Sequence, residues 1–127
     1  MPLTSEYYKF AEEREREIRE LHDYVFVNME YFSGNDGQEK VMGETDFMGY
    51  DEDDGTLTIY EFKSSRKTDR RKKGVTQLRR AKKYYSKEGL KINRQEKKIN
   101  KIVTVLEMYG PDDCGKKGRE RIELEEF

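Results

Sequence analysis

Alternating apolar and polar positions predict a β-hairpin in the middle of the chain. Residues 46–50 read Asp-Phe-Met-Gly-Tyr and residues 57–63 read Leu-Thr-Ile-Tyr-Glu-Phe-Lys, and a period of two is typical of half-buried strands. The acidic stretch between them contains a glycine and suits a hairpin loop. When Tyr50 is paired with Leu57 in antiparallel strands, counting back along the hairpin predicts that Asp46 lies opposite Glu61.

The same kind of pattern predicts the elements on both sides of this hairpin. A helix is predicted from Ser5 to about His22, and a second one from Val75 to about Lys87, with Gly89 as its end. Strands are predicted over residues 24–32, 41–50, 57–63 and 101–109, the last of them buried and parallel. The remaining segments are predicted as a turn with Asn35-Asp36-Gly37 at its tip, a basic loop (64–74), a charged connection (91–100), and a C-terminal turn (112–119) with a short edge strand (121–125).

The predicted order of elements is α-β-β-β-α-β with one further short strand. The third strand, the second helix and the strand 101–109 form a β-α-β crossover, which is right-handed in nearly all proteins. We therefore expect a single α/β (α+β) domain over residues 1–127, with its core at about 5–109 and residues 110–127 as a C-terminal turn and strand. Helices are expected to cover both faces of a mixed sheet.

Composition narrows the class of function. A single cysteine, Cys114, excludes an internal disulfide, and the single histidine, His22, makes a structural zinc site or a Cys–His dyad implausible. No apolar run approaches the roughly 20 residues that cross a bilayer, and the N-terminus has no hydrophobic signal segment. We expect an intracellular, soluble protein with no membrane partner and no small-molecule cofactor.

Charge is segregated along the chain, although the net charge is only −1. Residues 63–101 contain 17 Lys or Arg and three acids, whereas the remainder carries 9 basic and 24 acidic residues. Such a segment either binds a polyanion or forms a solvated helix paired with acidic neighbours, and we favour nucleic-acid binding. The predicted phosphate contacts are Arg66, Lys67, Arg70, Arg71, Lys72, Lys73, Arg79, Arg80 and Lys83.

The hairpin is predicted to bring together groups that suit phosphodiester chemistry. Glu61 and Lys63 leave the same face of their strand, and Asp46 joins them across the hairpin at roughly 5 Å between Cβ atoms. Two carboxylates can hold Mg²⁺ or Mn²⁺ and leave positions for water and phosphate. A lysine beside them can orient water or neutralise the charge that builds up on the phosphate.

The pattern Asp46-x14-Glu61-x-Lys63 on a hairpin resembles the core of the PD-(D/E)XK nuclease superfamily, with Thr45-Asp46 where Pro-Asp often stands. The resemblance implies a restriction-endonuclease-like αβββαβ core, which agrees with the predicted order of elements. It also implies a metal-dependent deoxyribonuclease in which Asp46, Glu61 and the carbonyl of Phe62 hold the ion.

Two helical motifs extend the resemblance. The run from Glu15 to Leu21 is similar to the first helix of archaeal Holliday junction resolvases, which implies Glu15 as a further metal ligand and catalytic residue, with Glu12 as the alternative. Gln77-Leu78 is similar to the Q-h-x-x-Y motif of recombination exonuclease domains and implies Gln77 near the metal, although Ala81 stands where the tyrosine would be. Each of these polar residues can instead be an ordinary solvated helix residue.

We therefore expect an endonuclease that selects branched DNA or Holliday junctions. A resolvase cuts two strands symmetrically, so the expectation includes a homodimer. The alternatives are an end- or flap-directed nuclease of recombination or replication, a non-catalytic nucleic-acid-binding module that uses the same basic face, and an acid–base hydrolase of small substrates.

Overall fold

The computed structural model describes residues 5–33 and 40–124. These residues form two helices, a five-stranded mixed sheet and a separate two-stranded hairpin, so the fold is of the α+β class. Neither helix in the described ranges is long and apolar enough to cross a membrane. The elements are α1 (Ser5–Leu21), β1 (Tyr24–Ser33), β2 (Lys40–Asp51), β3 (Thr56–Lys63), α2 (Thr68–Glu88), β4 (Leu90–Ile92), β5 (Gln95–Lys97), β6 (Lys101–Pro111) and β7 (Lys117–Leu124).

The large sheet has the strand order β1-β2-β3-β6-β7. Strand β6 runs parallel to β3, and the other neighbours are antiparallel. The parallel pair is connected through α2, as a β-α-β crossover requires. In the β2–β3 hairpin, Tyr50 lies opposite Leu57 and the register continues to Phe47 opposite Tyr60, which confirms the predicted pairing.

The two faces of the sheet bury separate cores because β3 is covered by a helix on each side. On the α2 face, Leu57 and Ile59 pack with residues of β2, β6 and α2 such as Leu106. On the α1 face, Tyr60 packs with Ile18, Phe62 and Val105. β3 is therefore buried on both faces although its sequence alternates, because Thr58 and Glu61 are buried together with its apolar residues.

Helix α2 begins at Thr68, so the prediction that residues 68–74 are a loop was wrong. Its first turn is tied to the β6–β7 turn, because the Thr68 N–H donates to Asp113 Oδ1 at 3.1 Å. Gly74 lies inside the helix because a Cβ there would come within 2.6 Å of Leu106 on β6. The close approach of helix to sheet therefore outweighs the low helix propensity of glycine.

The charged connection after α2 is also more ordered than predicted. It contains the hairpin β4–β5, whose two turn residues Asn93 and Arg94 both have positive φ, at 52° and 67°. Two successive positive φ angles are typical of a tight hairpin turn. Strand β7 begins at Lys117, within the segment predicted as a turn, while the predicted tip Asn35-Asp36-Gly37 lies outside the described residues.

Helix α1 is attached to the sheet by a buried ion pair as well as by apolar contacts. Arg14 contacts Glu107 of β6 through Nε to Oε1 at 2.5 Å and Nη2 to Oε2 at 2.9 Å. Phe10 is buried and its ring lies 5.8 Å from that of Phe62. Leu21, the last residue of α1, is 65% exposed.

His22 connects the end of α1 to the β2–β3 hairpin, and its contacts indicate a structural role. Its Nδ1 lies 2.8 Å from Asp51 Oδ2, and its Nε2 lies 2.7 Å from the hydroxyl of Tyr60. The histidine side chain is 4% exposed and Tyr60 is 1% exposed, so this network is closed to a substrate.

Candidate active site

Asp46 lies where β2 separates from β3. The paired part of the hairpin ends at Phe47 and Tyr60. Directly beyond it, the Asp46 carboxylate accepts a hydrogen bond from the Phe62 backbone N–H at 2.8 Å. One oxygen of Asp46 is thus fixed by the backbone of β3, which holds the carboxylate next to Glu61, the residue that the register places opposite it.

Glu61 is a buried carboxyl group, 6% exposed, in the centre of the sheet. Burial, followed by the neighbouring charge of Asp46, raises the pKa of Glu61 to about 8, although Lys63 opposes the rise. Burial beside Asp46 therefore disfavours the ionised form of Glu61. A buried acid with a strongly raised pKa next to a second acid is typical of functional sites.

Lys63 completes the cluster on the α2 face of the sheet. Its Nζ lies 3.7 Å from Glu61 Oε1, and its side chain is only 13% exposed. Glu61 and Lys63 pair with Leu106 and Met108 of β6, which belong to the core beneath α2. The predicted placement of both residues on one face is therefore confirmed.

Tyr31 of β1 lies beside this cluster, and sequence reasoning missed it. Its ring is 3% exposed and its hydroxyl lies over Gly43, where a Cβ would be 2.4 Å away. Burial raises the pKa of Tyr31, the positive charge of Arg80 lowers it, and the negative charge of Glu61 raises it. Tyr31 is therefore within electrostatic reach of both Glu61 and Arg80. In the sequence it is one aromatic among several in a strand, which carries no functional signal.

Tyr7 of α1 lies within electrostatic reach of the two acids, although α1 covers the other face of the sheet. Burial and then the charges of Asp46 and Glu61 raise the pKa of Tyr7 to about 12. Glu15 lies eight residues further along α1, which is ~12 Å along the helix axis. It pairs instead with Arg19 at 3.3 Å. The structure does not bring Glu15 to the pair, and the alternative, Glu12, is an exposed residue of the same helix.

Gln77 lies on the side of α2 that faces β1. It precedes Tyr84 by seven residues, or two helical turns, and the Tyr84 ring lies 4.8 Å from that of Tyr31. The Oε1 of Gln77 is buried and accepts no hydrogen bond from the described part of the chain. An unsatisfied buried acceptor costs free energy, so Gln77 is suited to receive a donor at this site.

The oxygen ligands where β2 separates from β3 fit a small hard cation that is held by few protein groups. Among residues 5–33 and 40–124, no group of three His, Cys, Asp or Glu side chains could hold a metal ion, so the predicted three-carboxylate set is reduced to two. Mg²⁺ is commonly held by one or two carboxylates together with water and phosphate oxygens. Asp46 and Glu61 are such a pair, and the peptide unit of Phe62 adjoins them.

The residues of the basic segment differ in their exposure. Arg66 donates through Nε to the Gly110 carbonyl at 2.9 Å, and Arg71 binds both carboxylate oxygens of Glu120 at 2.6 and 2.7 Å. These two arginines attach α2 and its loop to β6 and β7. The other predicted contacts are exposed: Lys67, Arg70, Lys72, Lys73, Arg79, Arg80 and Lys83.

Comparison with known proteins adds nothing to this geometry. No protein-family model, curated protein or solved structure matches the chain. The site must therefore be interpreted from its own residues.

Proposed function

We propose that this protein is a metal-dependent deoxyribonuclease that hydrolyses phosphodiester bonds. The observation that carries the proposal is the buried Glu61 carboxyl beside Asp46, with Lys63 Nζ at 3.7 Å. At neutral pH two adjacent acids in a buried position cost the fold stability, because desolvation and mutual repulsion both oppose their ionisation. Chemistry that needs both groups accounts for the arrangement.

Each residue of the cluster has a distinct role in this proposal. Asp46 and Glu61 hold a divalent cation, which supplies the positive charge that activates water and polarises the phosphate. Asp46 is kept in place by the Phe62 amide, so its geometry is set before substrate arrives. Lys63 provides a further positive charge that stabilises the negative charge developing on the phosphate oxygens.

The exposed cations of α2 support DNA as the substrate. Helix α2 carries nine Lys or Arg against two acids, and such a surface binds phosphates with strong salt dependence and little base selectivity. The proposed core is the αβββαβ arrangement of the PD-(D/E)XK superfamily. The similarity of residues 15–21 to resolvases favours branched DNA and a homodimer, whereas the similarity of Gln77-Leu78 to the Q-h-x-x-Y motif favours an end- or flap-directed nuclease.

Nicking of supercoiled plasmid in Mg²⁺ or Mn²⁺, with a chelator as control, tests the proposal. We expect nicking that the chelator abolishes. A second assay compares cleavage of a four-way junction, a flap, a single strand and a plain duplex to identify the preferred structure. Salt-dependent DNA binding without cleavage in either metal would instead identify a non-catalytic binding module.

A further inference from the structure

Two adjoining concavities lie along the C-terminal half of α2, and we call them together the distal groove. One has a volume of about 550 Å³ and lies on the outer surface of the helix. The other, of about 440 Å³, lies between the end of α2, the β4–β5 hairpin and the start of β6. Both are lined by Lys82, Ser86 and Lys87, so they form one continuous depression.

The distal groove is separate from the cluster around Glu61. The residues that line the two concavities do not include Asp46, Glu61, Lys63 or Tyr31. A ligand in the groove would therefore not occupy the position between Asp46 and Glu61.

The charge of the groove suits a polyanion. Its cations exceed its two acids, Glu88 and Glu96, and Lys97 is already paired with Glu52 at 2.7 Å. Ser86 adds a hydroxyl group between the lysines. The other cations that line the groove are Arg79, Lys82, Lys83, Lys87 and Lys101.

The dimensions of the groove agree with a nucleic-acid strand. The helical part from Arg79 to Lys87 rises by ~12 Å, since each residue of an α-helix adds about 1.5 Å. Phosphates on one strand of B-DNA advance by about 3.4 Å along the helix axis. The helical part of the groove therefore spans the axial length of about three or four base pairs.

We propose that the distal groove binds the phosphate backbone of DNA at a distance from the cleavage centre, over about three or four nucleotides of one strand. This inference rests on the DNA substrate of the proposed function but does not depend on catalysis. A contact of this kind strengthens substrate binding without taking part in the chemical step. Its loss is therefore expected to raise KM and leave kcat unchanged.

The test compares two double variants with the same change in net charge. Lys87→Glu with Lys101→Glu reverses two cations of the groove, and Lys9→Glu with Arg16→Glu reverses two exposed cations of α1 on the other face of the sheet. Circular dichroism first establishes that both variants fold. Fluorescence anisotropy in chelator then measures the Kd for a labelled duplex of about 20 base pairs over a series of salt concentrations.

We expect the groove variant to bind about tenfold more weakly and to lose about two units of the slope of log Kd against log salt, with the α1 variant within about twofold of wild type. Equal weakening in both variants, or none in the groove variant, would overturn the proposal. Equally tight binding of polyglutamate or of anionic lipid vesicles would overturn the assignment to nucleic acid. If wild type cleaves DNA and the groove variant has an unchanged KM, the role of the groove in binding is contradicted and the proposed function is not. If wild type does not cleave DNA, the proposed function is contradicted and the binding role of the groove is not.

Discussion

The backbone N–H of Phe62 donates to the Asp46 carboxylate at 2.8 Å, at the point where the two strands of the hairpin separate. This contact uses one oxygen of Asp46 and leaves the rest of the carboxylate beside Glu61. Because the donor belongs to the residue after Glu61, any movement of β3 carries both acids together. The contact therefore couples the position of the two carboxyl groups to the main chain of the central strand.

The first prediction concerns stability and pH in the metal-free protein. The pKa of Glu61 rises from the model-compound value of 4.5 to about 8 on folding. Folding therefore takes up a proton, and the stabilisation is complete below about pH 4.5 and disappears as the pH rises through about 8. One pKa unit corresponds to about 1.4 kcal/mol, so the effect amounts to a few kcal/mol.

Urea unfolding of wild type and Glu61→Gln between about pH 5 and 8 isolates this contribution. We expect the free energy of unfolding of wild type to fall, relative to that of the variant, across this interval. The variant keeps a neutral side chain at every pH and is the matched control. Parallel pH profiles for the two proteins would show that the Glu61 carboxyl is not perturbed by folding.

The second prediction concerns the buried pair Arg14–Glu107, whose side chains are 17% and 3% exposed. Arg14→Met leaves a buried carboxylate without its partner and should destabilise the protein by about 3–5 kcal/mol. Arg14→Met with Glu107→Leu should recover most of that loss. Arg71→Met, which removes a pair that is about one-third exposed, should cost at most about 1 kcal/mol. Chemical denaturation measures all three, and a double variant as unstable as Arg14→Met would contradict the argument.

The third prediction follows from the position of Tyr7. Tyr7→Glu places a third carboxylate within electrostatic reach of Asp46 and Glu61, a position that the resemblance to resolvases predicts for Glu15. We expect the Kd for Mg²⁺, measured by calorimetry, to fall by about tenfold, because affinity rises with the number of charged ligands. Tyr7→Gln controls for the loss of the ring. Tighter Mg²⁺ binding in Tyr7→Gln as well, or weaker binding when Glu15→Gln is introduced, would contradict this placement.

The hairpin and its shared face could be predicted from sequence, because a period of two determines both which residues pair and which side they face. The start of α2 could not be predicted, because residues 68–74 are polar and end in a glycine, a pattern typical of a loop, and the close approach of Gly74 to Leu106 arises only in the folded protein. The proximity of Tyr7 and Tyr31 to Glu61 could not be predicted either, because it arises only from tertiary packing. The internal roles of Arg66 and Arg71 likewise depend on the position of β7.

The fourth prediction concerns Lys63. Lys63→Ala should lower kcat by about 10²–10³, the usual cost of one preorganised electrostatic contact. Mg²⁺ affinity should not decrease, because the ammonium group is not a ligand. Lys67→Ala, which removes an exposed lysine at the start of α2, is the matched control and should retain kcat. Loss of Mg²⁺ binding in Lys63→Ala would show that the lysine serves only to hold Glu61 in place.

Asp46→Asn tests the central proposal most directly, because it preserves the shape of the side chain while removing one of the two charges. The variant and wild type are compared in the same buffer for plasmid nicking with Mg²⁺ and for duplex affinity by anisotropy. We predict that nicking is lost while the Kd for DNA is unchanged or lower, since one repulsive charge has gone. Full nicking activity in Asp46→Asn would contradict the assignment of Asp46 and Glu61 as the catalytic pair.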